Sequence, residues 1–414
     1  MTTGIALVAG AGITGVCVAE WLRRDGWSVT MIDPVLPGSP EQTSYGNAGL
    51  LSRISVMPIA TQSLVRQLPS MLRDPNSPLF MRWSYLPRLL PWLVPFLRSA
   101  RAERVEDISS GLAALTFDAN EQHLALVRGT PAEAFIRKGN LVSLYRDRQA
   151  YDGDVLTSRT REKFGLVPEL LDRKGILDRD PSIGSAYQFA TVFDDYCWLS
   201  SPAAYLAALF EHFLRNGGCF RRSRVVSLEP GTVARLTLED GETLTADTIV
   251  LASGAWSKTL ARSAGVRVRL EAERGYHVEL HSNGYRAPQP YFVMDAKFVL
   301  TPMDHALRAA GVAEFGGLDA PPSKRPVELI KEGVRRVYPG LKFEIGQSWM
   351  GNRPTTPDSL PVIGATEGAP NILHAYGGQH IGLTIGAKVG RIVADLARRR
   401  RPNLDLRPYR PDRF

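Results

Sequence analysis

The stretch Ile5–Asp33, "IALVAGAGITGVCVAEWLRRDGWSVTMID", decides the fold. Ile5–Ala9 is apolar and short enough for a buried strand, Ile13–Arg24 repeats apolar residues at helical spacing, and Ser28–Ile32 reads as a second strand that ends on Asp33. Strand, glycine turn, helix and strand make a βαβ unit, and the turn Gly10–Gly15 carries the GxGxxG spacing. Gly10 permits a tight turn, Gly12 lets backbone N–H groups approach a pyrophosphate, and Gly15 lets helix and strand pack closely. Ile13 and Thr14 then open a helix whose N-terminus favours anions. Asp33 falls where an acid accepts hydrogen bonds from the ribose hydroxyls of a dinucleotide. A turn aspartate before Pro34 is the plainer alternative.

The same character returns twice further along. "TIVLASGAWS" (Thr248–Ser257) is a buried strand followed by a glycine turn, and Ile372–Ala375 is another, followed by "GGQHIGLT" and a closing helix over Ile385–Arg398. Between them lie segments of different pattern. Ile59–Val127 reads as helical with proline breaks at Pro69, Pro75, Pro78, Pro87, Pro91 and Pro95 and a cleaner helix at Ile108–Leu126. Strands are expected at Gly139–Tyr145 and Ala186–Phe193, and a helix at Ala203–Arg215 behind the cap Ser201–Pro202. Further strands follow at Arg221–Leu228, Tyr276–Leu280, Tyr291–Leu300 and Leu307–Phe315, with a hairpin on Asp240–Gly241 and a helix at Val327–Val337. Two interleaved domains fit this alternation: a dinucleotide-binding one from residues 1–58, 195–270 and 345–414, and a substrate-binding one from residues 59–194 and 271–344.

Composition sets the remaining bounds. The 414 residues, 44% hydrophobic, suffice for two cores. The net charge of +8 gathers partly at Arg398–Arg401 and at Arg221, Arg222 and Arg224. Solvated faces and a helix end account for these clusters without nucleic acid. Cys17, Cys197 and Cys219 form no CxxC pair, and the seven histidines show no metal-ligand spacing, so neither a disulfide framework nor a metal is expected and a reducing cytoplasm fits. In Leu79–Leu97 the charges Arg82 and Arg88 and three prolines interrupt any span of a bilayer.

Five motifs in order, "GAGITG", "TSYGNAG" (Thr43–Gly49), "SGAWS", "GNRPTTPDSLPVIG" (Gly351–Gly364) and "YGGQHIGLT" (Tyr376–Thr384), resemble the D-amino-acid oxidase-like superfamily of FAD-dependent oxidoreductases, most closely the bacterial D-amino-acid dehydrogenases. The resemblance implies an α/β fold: a Rossmann-like, glutathione-reductase-type FAD-binding domain interleaved with an α+β substrate domain on a mixed or antiparallel sheet. FAD rather than NAD agrees with the second glycine turn, since flavoproteins bring a later loop back onto the cofactor. With no cysteine near the C-terminal motifs, the FAD is expected to be non-covalent.

By the same resemblance Ser44, Asn47, Ala48, Gly49 and Leu50 lie against the flavin, joined by Val226, Ser253, Gly254, Trp256, Gly351, Gly378, Gln379, His380, Ile381, Gly382, Leu383 and Thr384. The loop Gly377–Thr384 also opens a helix, whose N–H groups and dipole suit negative charge on a reduced flavin. Arg353 matches the arginine that holds the substrate carboxylate, with Gly351 and Pro354 stiffening the turn that aims it. The competing role is an ion pair with Asp358. Tyr276 or His277, but not both, faces the substrate by strand alternation. His380, Tyr291 and His305 are weaker candidates. The expected reaction is oxidation of a D-amino acid, with electrons passing to a quinone or other respiratory acceptor. Leu79–Leu97 with the basic C-terminus offers a peripheral contact to an anionic membrane, against the plainer reading of a packed helical layer. D-hydroxyproline or sarcosine- and glycine-type amine oxidation is the nearer alternative, and an electron-relay subunit without a substrate the more distant.

Overall fold

The computed structural model describes residues 3–74, 76–282 and 284–414. Pro75, one of the expected helix breaks, lies outside them. Six strands form one sheet in the order Val362–Thr366, Ala369–Tyr376, Thr248–Leu251, Ile5–Ala9, Ser28–Asp33, Cys219–Arg222. Ile5–Ala9 sits inside it, parallel to Ser28–Asp33 on one side and to Thr248–Leu251 on the other. It is covered on both faces, which is why it reads as an unbroken apolar run. Thr248–Leu251 runs parallel to Ala369–Tyr376 in turn. The glycine turns at Gly10, Gly254 and Gly378 therefore all leave the same ends of adjacent parallel strands, where open α/β sheets bind ligands.

The helix Ile13–Arg24 packs against the closing helix Gly382–Ala397. Two glycines let the helices close: a Cβ on Gly390 would lie 2.7 Å from the Cys17 carbonyl carbon, and one on Gly386 3.2 Å from Ile13 Cγ1. Burial here pushes the Cys17 thiol pKa well up. It is a packing residue.

The second sheet has ten strands, eight of them in the order Glu344–Thr355, Glu271–His281, Leu307–Phe315, Phe298–Pro302, Tyr291–Val293, Ile136–Tyr145, Phe189–Leu199, Leu50–Leu51. The helix Lys324–Val337 covers one face with Leu329, Ile330, Val334 and Val337. The opposite face looks into a cavity of about 1130 Å³ that the helices Gln62–Met71 and Leu86–Ser99 close from outside.

The structure corrects several expected elements. Pro91 and Pro95 do not break their helix, which runs through both over Leu86–Ser99. Pro95 lacks the N–H that would bind the Pro91 carbonyl, and Arg269 Nη1 donates to that carbonyl instead, at 2.6 Å. Pro69 likewise lies inside Gln62–Met71. The single helix expected over Ile108–Leu126 is two, Ala102–Thr116 and Ala119–Val127, and the Asp118 carboxylate between them accepts from Lys388 at 2.6 Å and Gln122 at 2.8 Å. Arg221–Leu228 divides into strands of two different sheets, and Tyr291–Leu300 is a hairpin reversing at Lys297, whose φ is 52°. Arg353 stands not in a turn but on the strand Glu344–Thr355, whose place at the sheet edge accommodates Pro354.

Candidate active site

The turn after the first strand is shaped around its glycines. Gly10 has φ 106°, and a Cβ there would sit 2.5 Å from the Ala252 carbonyl oxygen, while one on Gly15 would sit 2.0 Å from the Gly10 oxygen. Gly12 differs, because its Cβ would meet only Ser44 Oγ, at 3.4 Å. Its N–H and that of Thr14 have no partner among the described residues, whereas Ala11 N–H donates to Asp33 Oδ2 at 2.8 Å and Ile13 N–H to Ser44 Oγ at 3.0 Å. Two free donors and an open side at a helix N-terminus fit a pyrophosphate. Asp33 also accepts from Val35 N–H at 3.0 Å, and burial raises its pKa.

The loop Thr43–Gly49 is held by its carbonyls. Arg308 Nη1 donates to Tyr45 O and Asn47 O at 3.0 Å each, Thr301 Oγ1 to Ala48 O at 2.7 Å, and His277 Nδ1 lies 3.0 Å from Gly46 O. With their carbonyls taken, Gly46, Asn47 and Ala48 keep N–H groups that have no partner among the described residues, and all three residues line the cavity. Such a row of amides fits the polar edge of an isoalloxazine. Gly49 takes φ 81° and donates to Asn47 Oδ1 at 2.8 Å. On the far side of the loop Thr384 Oγ1 donates to Leu50 O and accepts from Ser52 N–H, tying it to the start of the closing helix. That helix begins with no side-chain cap, and Gln379, His380 and Ile381 line the cavity beside it.

Arg353 reaches the same cavity from the edge strand. Its Nη1 is 2.8 Å from Glu273 Oε1 and 3.3 Å from Val312 O, and Glu273 Oε2 accepts from Thr355 Oγ1 at 3.2 Å. Asp358, the alternative partner considered from sequence, is instead bound by Arg413 at 2.8 and 3.1 Å. Gly275 is the reason the guanidinium can lie across the neighbouring strand: a Cβ there would come 2.2 Å from Arg353 Nη2. A bridge from Thr355 to Gly378 sets the closing loop beside this pair. His380 presents its surface to the cavity. Although the ring is exposed to the cavity, the protein packed around it lowers its pKa to about 4; Glu273 opposes that shift and Arg353 adds to it.

Strand alternation separates the other candidates. Residues 273, 275 and 277 share the cavity face of their strand, and the side chains of 274 and 276 point to the other. Tyr276 borders the cavity, but its hydroxyl donates to Glu314 and accepts from Ser323 N–H at 3.1 Å beneath the helix Lys324–Val337, so that group is turned away from the cavity. His277 is on the cavity face but covered, its ring stacked 5.2 Å from Trp349 and its pKa lowered to about 4 by burial. Tyr291 is buried in the core, and His305 sits in an exposed turn outside the cavity lining. Val226 and Trp256 are 44% and 42% exposed, so they contribute surface beside the cradle rather than a wall. Ser253 Oγ donates to Ala9 O at 2.8 Å, and Gly254 is open to space. Sequence reasoning missed Glu273 and Val312. The first stands two residues before Gly275, a spacing that places both on one face of a strand.

Among the described residues no group of three or more His, Cys, Asp or Glu is placed to hold a metal ion, and no helix is long and apolar enough to cross a membrane. Comparison with known proteins agrees with the geometry. Residues 6–396 match the family model described as DAO, FAD dependent oxidoreductase. The chain is 36% identical over 414 residues to a protein of Bradyrhizobium diazoefficiens named D-amino-acid oxidase, covering 98% of each. It is 29% identical to the D-amino acid dehydrogenase of Paramagnetospirillum magneticum, covering 99% of this chain and 98% of that one. Glycine oxidase from Geobacillus kaustophilus superposes over the full length of both chains with a TM-score of 0.75 at 20% identity. A parallel core with three glycine turns at one edge, opening on a cavity with unpaired amides, is thus the architecture of known flavoenzymes, and the chain belongs to the DAO family of FAD-dependent oxidoreductases.

Proposed function

We propose that this enzyme oxidises the Cα–N bond of a D-amino acid, yielding a 2-oxo acid and ammonia. The observation that carries the proposal is the state of Arg353. Both of its protein contacts use Nη1, which leaves Nε and Nη2 as an unengaged fork at the cavity, aimed by Glu273. A planar two-donor fork matches a carboxylate. Glu273 and the neutral His380 stand where they can accept from the substrate amine. FAD, when bound, supplies the acceptor for the Cα hydride. The chain's own part is to fix the carboxylate, hold the amine unprotonated and keep water from the reacting carbon until the imino acid is released to hydrolysis. The relative named D-amino-acid oxidase supports this substrate class.

Electrons then pass to a quinone-type or other acceptor. Trp83, Leu90, Val94 and Leu97 remain exposed on the helical layer over the cavity, a face suited to peripheral contact with an anionic membrane. Flotation with anionic vesicles at low salt tests that contact, and protein left entirely at the bottom of the gradient rules it out. For the reaction itself, D-amino acids, L-amino acids and N-methyl amino acids are added anaerobically to the yellow holoenzyme. Bleaching by the D-isomers is the expected result. Bleaching by the N-methyl compounds alone reassigns the enzyme to secondary amines.

A further inference from the structure

We infer that the cavity contains a second anion-binding pole, formed by Arg161 and Lys297, and that the substrate is a D-amino acid whose side chain ends in a second acidic group. The inference rests on the proposed reaction for which end of the substrate is which, but the pole itself is read from charge alone. Arg161, Lys297 and Arg353 all line the one cavity. Arg353 is matched by Glu273 at 2.8 Å, whereas neither Arg161 nor Lys297 has a carboxylate within 4 Å among the described residues. Arg161 Nε is buried without any hydrogen-bond partner. The guanidinium lies over the Phe193 ring at 5.6 Å, which offers a face but no anion.

The surrounding charges do not cancel this excess. Asp295 is already shared by Arg146 at 2.6 Å and Arg336 at 3.2 Å, with the Tyr187 hydroxyl also donating to it at 3.2 Å. Among the described residues Asp154, at the start of the helix Val155–Lys163 that carries Arg161, is the one further carboxylate that acts on both cations, and it does so from beyond ion-pair distance. Desolvation weighs on both groups, lowering the pKa of each. Lys297 stands exposed to the cavity and Arg161 partly so, and with no carboxylate in ion-pair contact among the described residues both leave positive charge free to meet an anion that enters.

The backbone brings Lys297 to the strand that Arg353 touches. Arg353 donates to Val312 O, and Val312 N–H donates to Lys297 O at 3.4 Å, so a single residue separates the guanidinium from the backbone that carries the lysine. Lys297 holds φ 52° in the reversal between Tyr291–Val293 and Phe298–Pro302, and a Cβ on Gly311 would lie 2.5 Å from its carbonyl oxygen. The lysine backbone is therefore fixed against the same strand that Arg353 touches. An α-carboxylate on Arg353 and a side-chain carboxylate between Lys297 and Arg161 would satisfy both poles at once.

The test uses the FAD-loaded enzyme with a synthetic electron acceptor. D-Glutamate and its neutral isostere D-glutamine are compared in wild type, Arg161→Met and Lys297→Met. In wild type kcat/KM should favour D-glutamate roughly ten- to a hundredfold, the range of a hydrogen bond to a charged group, and in each variant that ratio should collapse toward one. Calorimetric binding of glutarate and pentanoate provides a readout that needs no turnover: glutarate should bind the wild type at least about tenfold tighter, and the advantage should vanish in both variants. Equal handling of the acidic and neutral compounds, or an acidic preference that survives both substitutions, overturns the second pole. If glutarate binds as expected and yet no D-amino acid is oxidised, the pole stands and the proposed reaction falls.

Discussion

Replacing Gly275 by alanine perturbs the proposed carboxylate clamp at Arg353 while leaving its charges in place. The added Cβ would lie 2.2 Å from Arg353 Nη2, 2.3 Å from Cζ and 2.4 Å from Nε, where ordinary contact begins at 3.4 Å. The guanidinium must therefore move by about 1.2 Å, the difference between 3.4 and 2.2 Å. Because the clashing atoms are the far end of a long side chain, that movement is available and the strand pairing with Glu344–Thr355 survives. A shift of that size takes Nη1 from 2.8 Å to the limit of an ion pair with Glu273 and turns the Nε–Nη2 fork away from the cavity. Misplacing a positioned group by about 1 Å lowers kcat/KM roughly a hundredfold, close to 2.7 kcal/mol of transition-state binding. The assay is steady-state oxidation of a D-amino acid with a synthetic acceptor, alongside the flavin absorbance and melting temperature. Gly340→Ala, where a Cβ meets nothing within 4 Å, is the control. A Gly275→Ala enzyme with normal flavin content and an unchanged kcat/KM would refute Arg353 as the clamp.

Other consequences concern the cofactor and pH. Asp33→Asn puts an amide donor against one of the two N–H groups, of Ala11 and Val35, that now donate to the carboxylate. It should weaken FAD retention by about 1–3 kcal/mol, measured by release of flavin on dilution or by fluorescence titration of the apoprotein. His123, His277 and His374 are buried with pKa values lowered from 6.5 to about 4. Above 6.5 each is neutral in both states. As pH falls below it, the unfolded chain takes up protons that the folded chain refuses, so the stabilisation present above pH 6.5 is lost as pH approaches 4. Unfolding free energy should decline by about 1.4 kcal/mol per pH unit for each histidine. Denaturant melts showing the same stability at pH 7 and pH 5 would contradict it.

The sequence makes the dinucleotide cradle legible because its signals are local. Glycine spacing, a covered strand and an acid at the next strand's end occur within the 29 residues from Ile5 to Asp33. The substrate end depends on register, which no local pattern reports. Gly275 is useful only because Arg353 is paired with Glu273, two positions earlier on the same strand, and Val312 reaches the guanidinium because the strand pairing shifts between Arg274 and Tyr276. Alternation showed that Tyr276 and His277 oppose each other, but which face was the cavity depended on where Lys324–Val337 packs. The prolines misled for a similar reason. The carbonyl freed by Pro95 is bound by an arginine 178 residues away.

The back of the platform strand yields a last prediction, because it decides whether Tyr276 is structural. Behind Gly275, Arg274 is fully buried, donating to Gly317 O at 2.9 Å and to Glu314 at 3.2 Å. Glu314 also accepts from Tyr276, from Ser323 Oγ at 2.5 Å and from Arg82 at 3.4 Å. These bonds outweigh the desolvation that would otherwise raise its pKa, and the carboxyl is held below the usual range. Tyr276→Phe removes one donor from an anion that keeps several others and leaves Ser323 N–H without its acceptor. The fold should lose about 1–3 kcal/mol, while Arg353 and Glu273, on the opposite face, keep their geometry. The expected enzyme is therefore less stable but retains its KM and, within a few-fold, its kcat. A variant that melts normally and has lost most of its kcat would place the Tyr276 hydroxyl in the chemistry, and the orientation of the whole sheet relative to the substrate would have to be reversed.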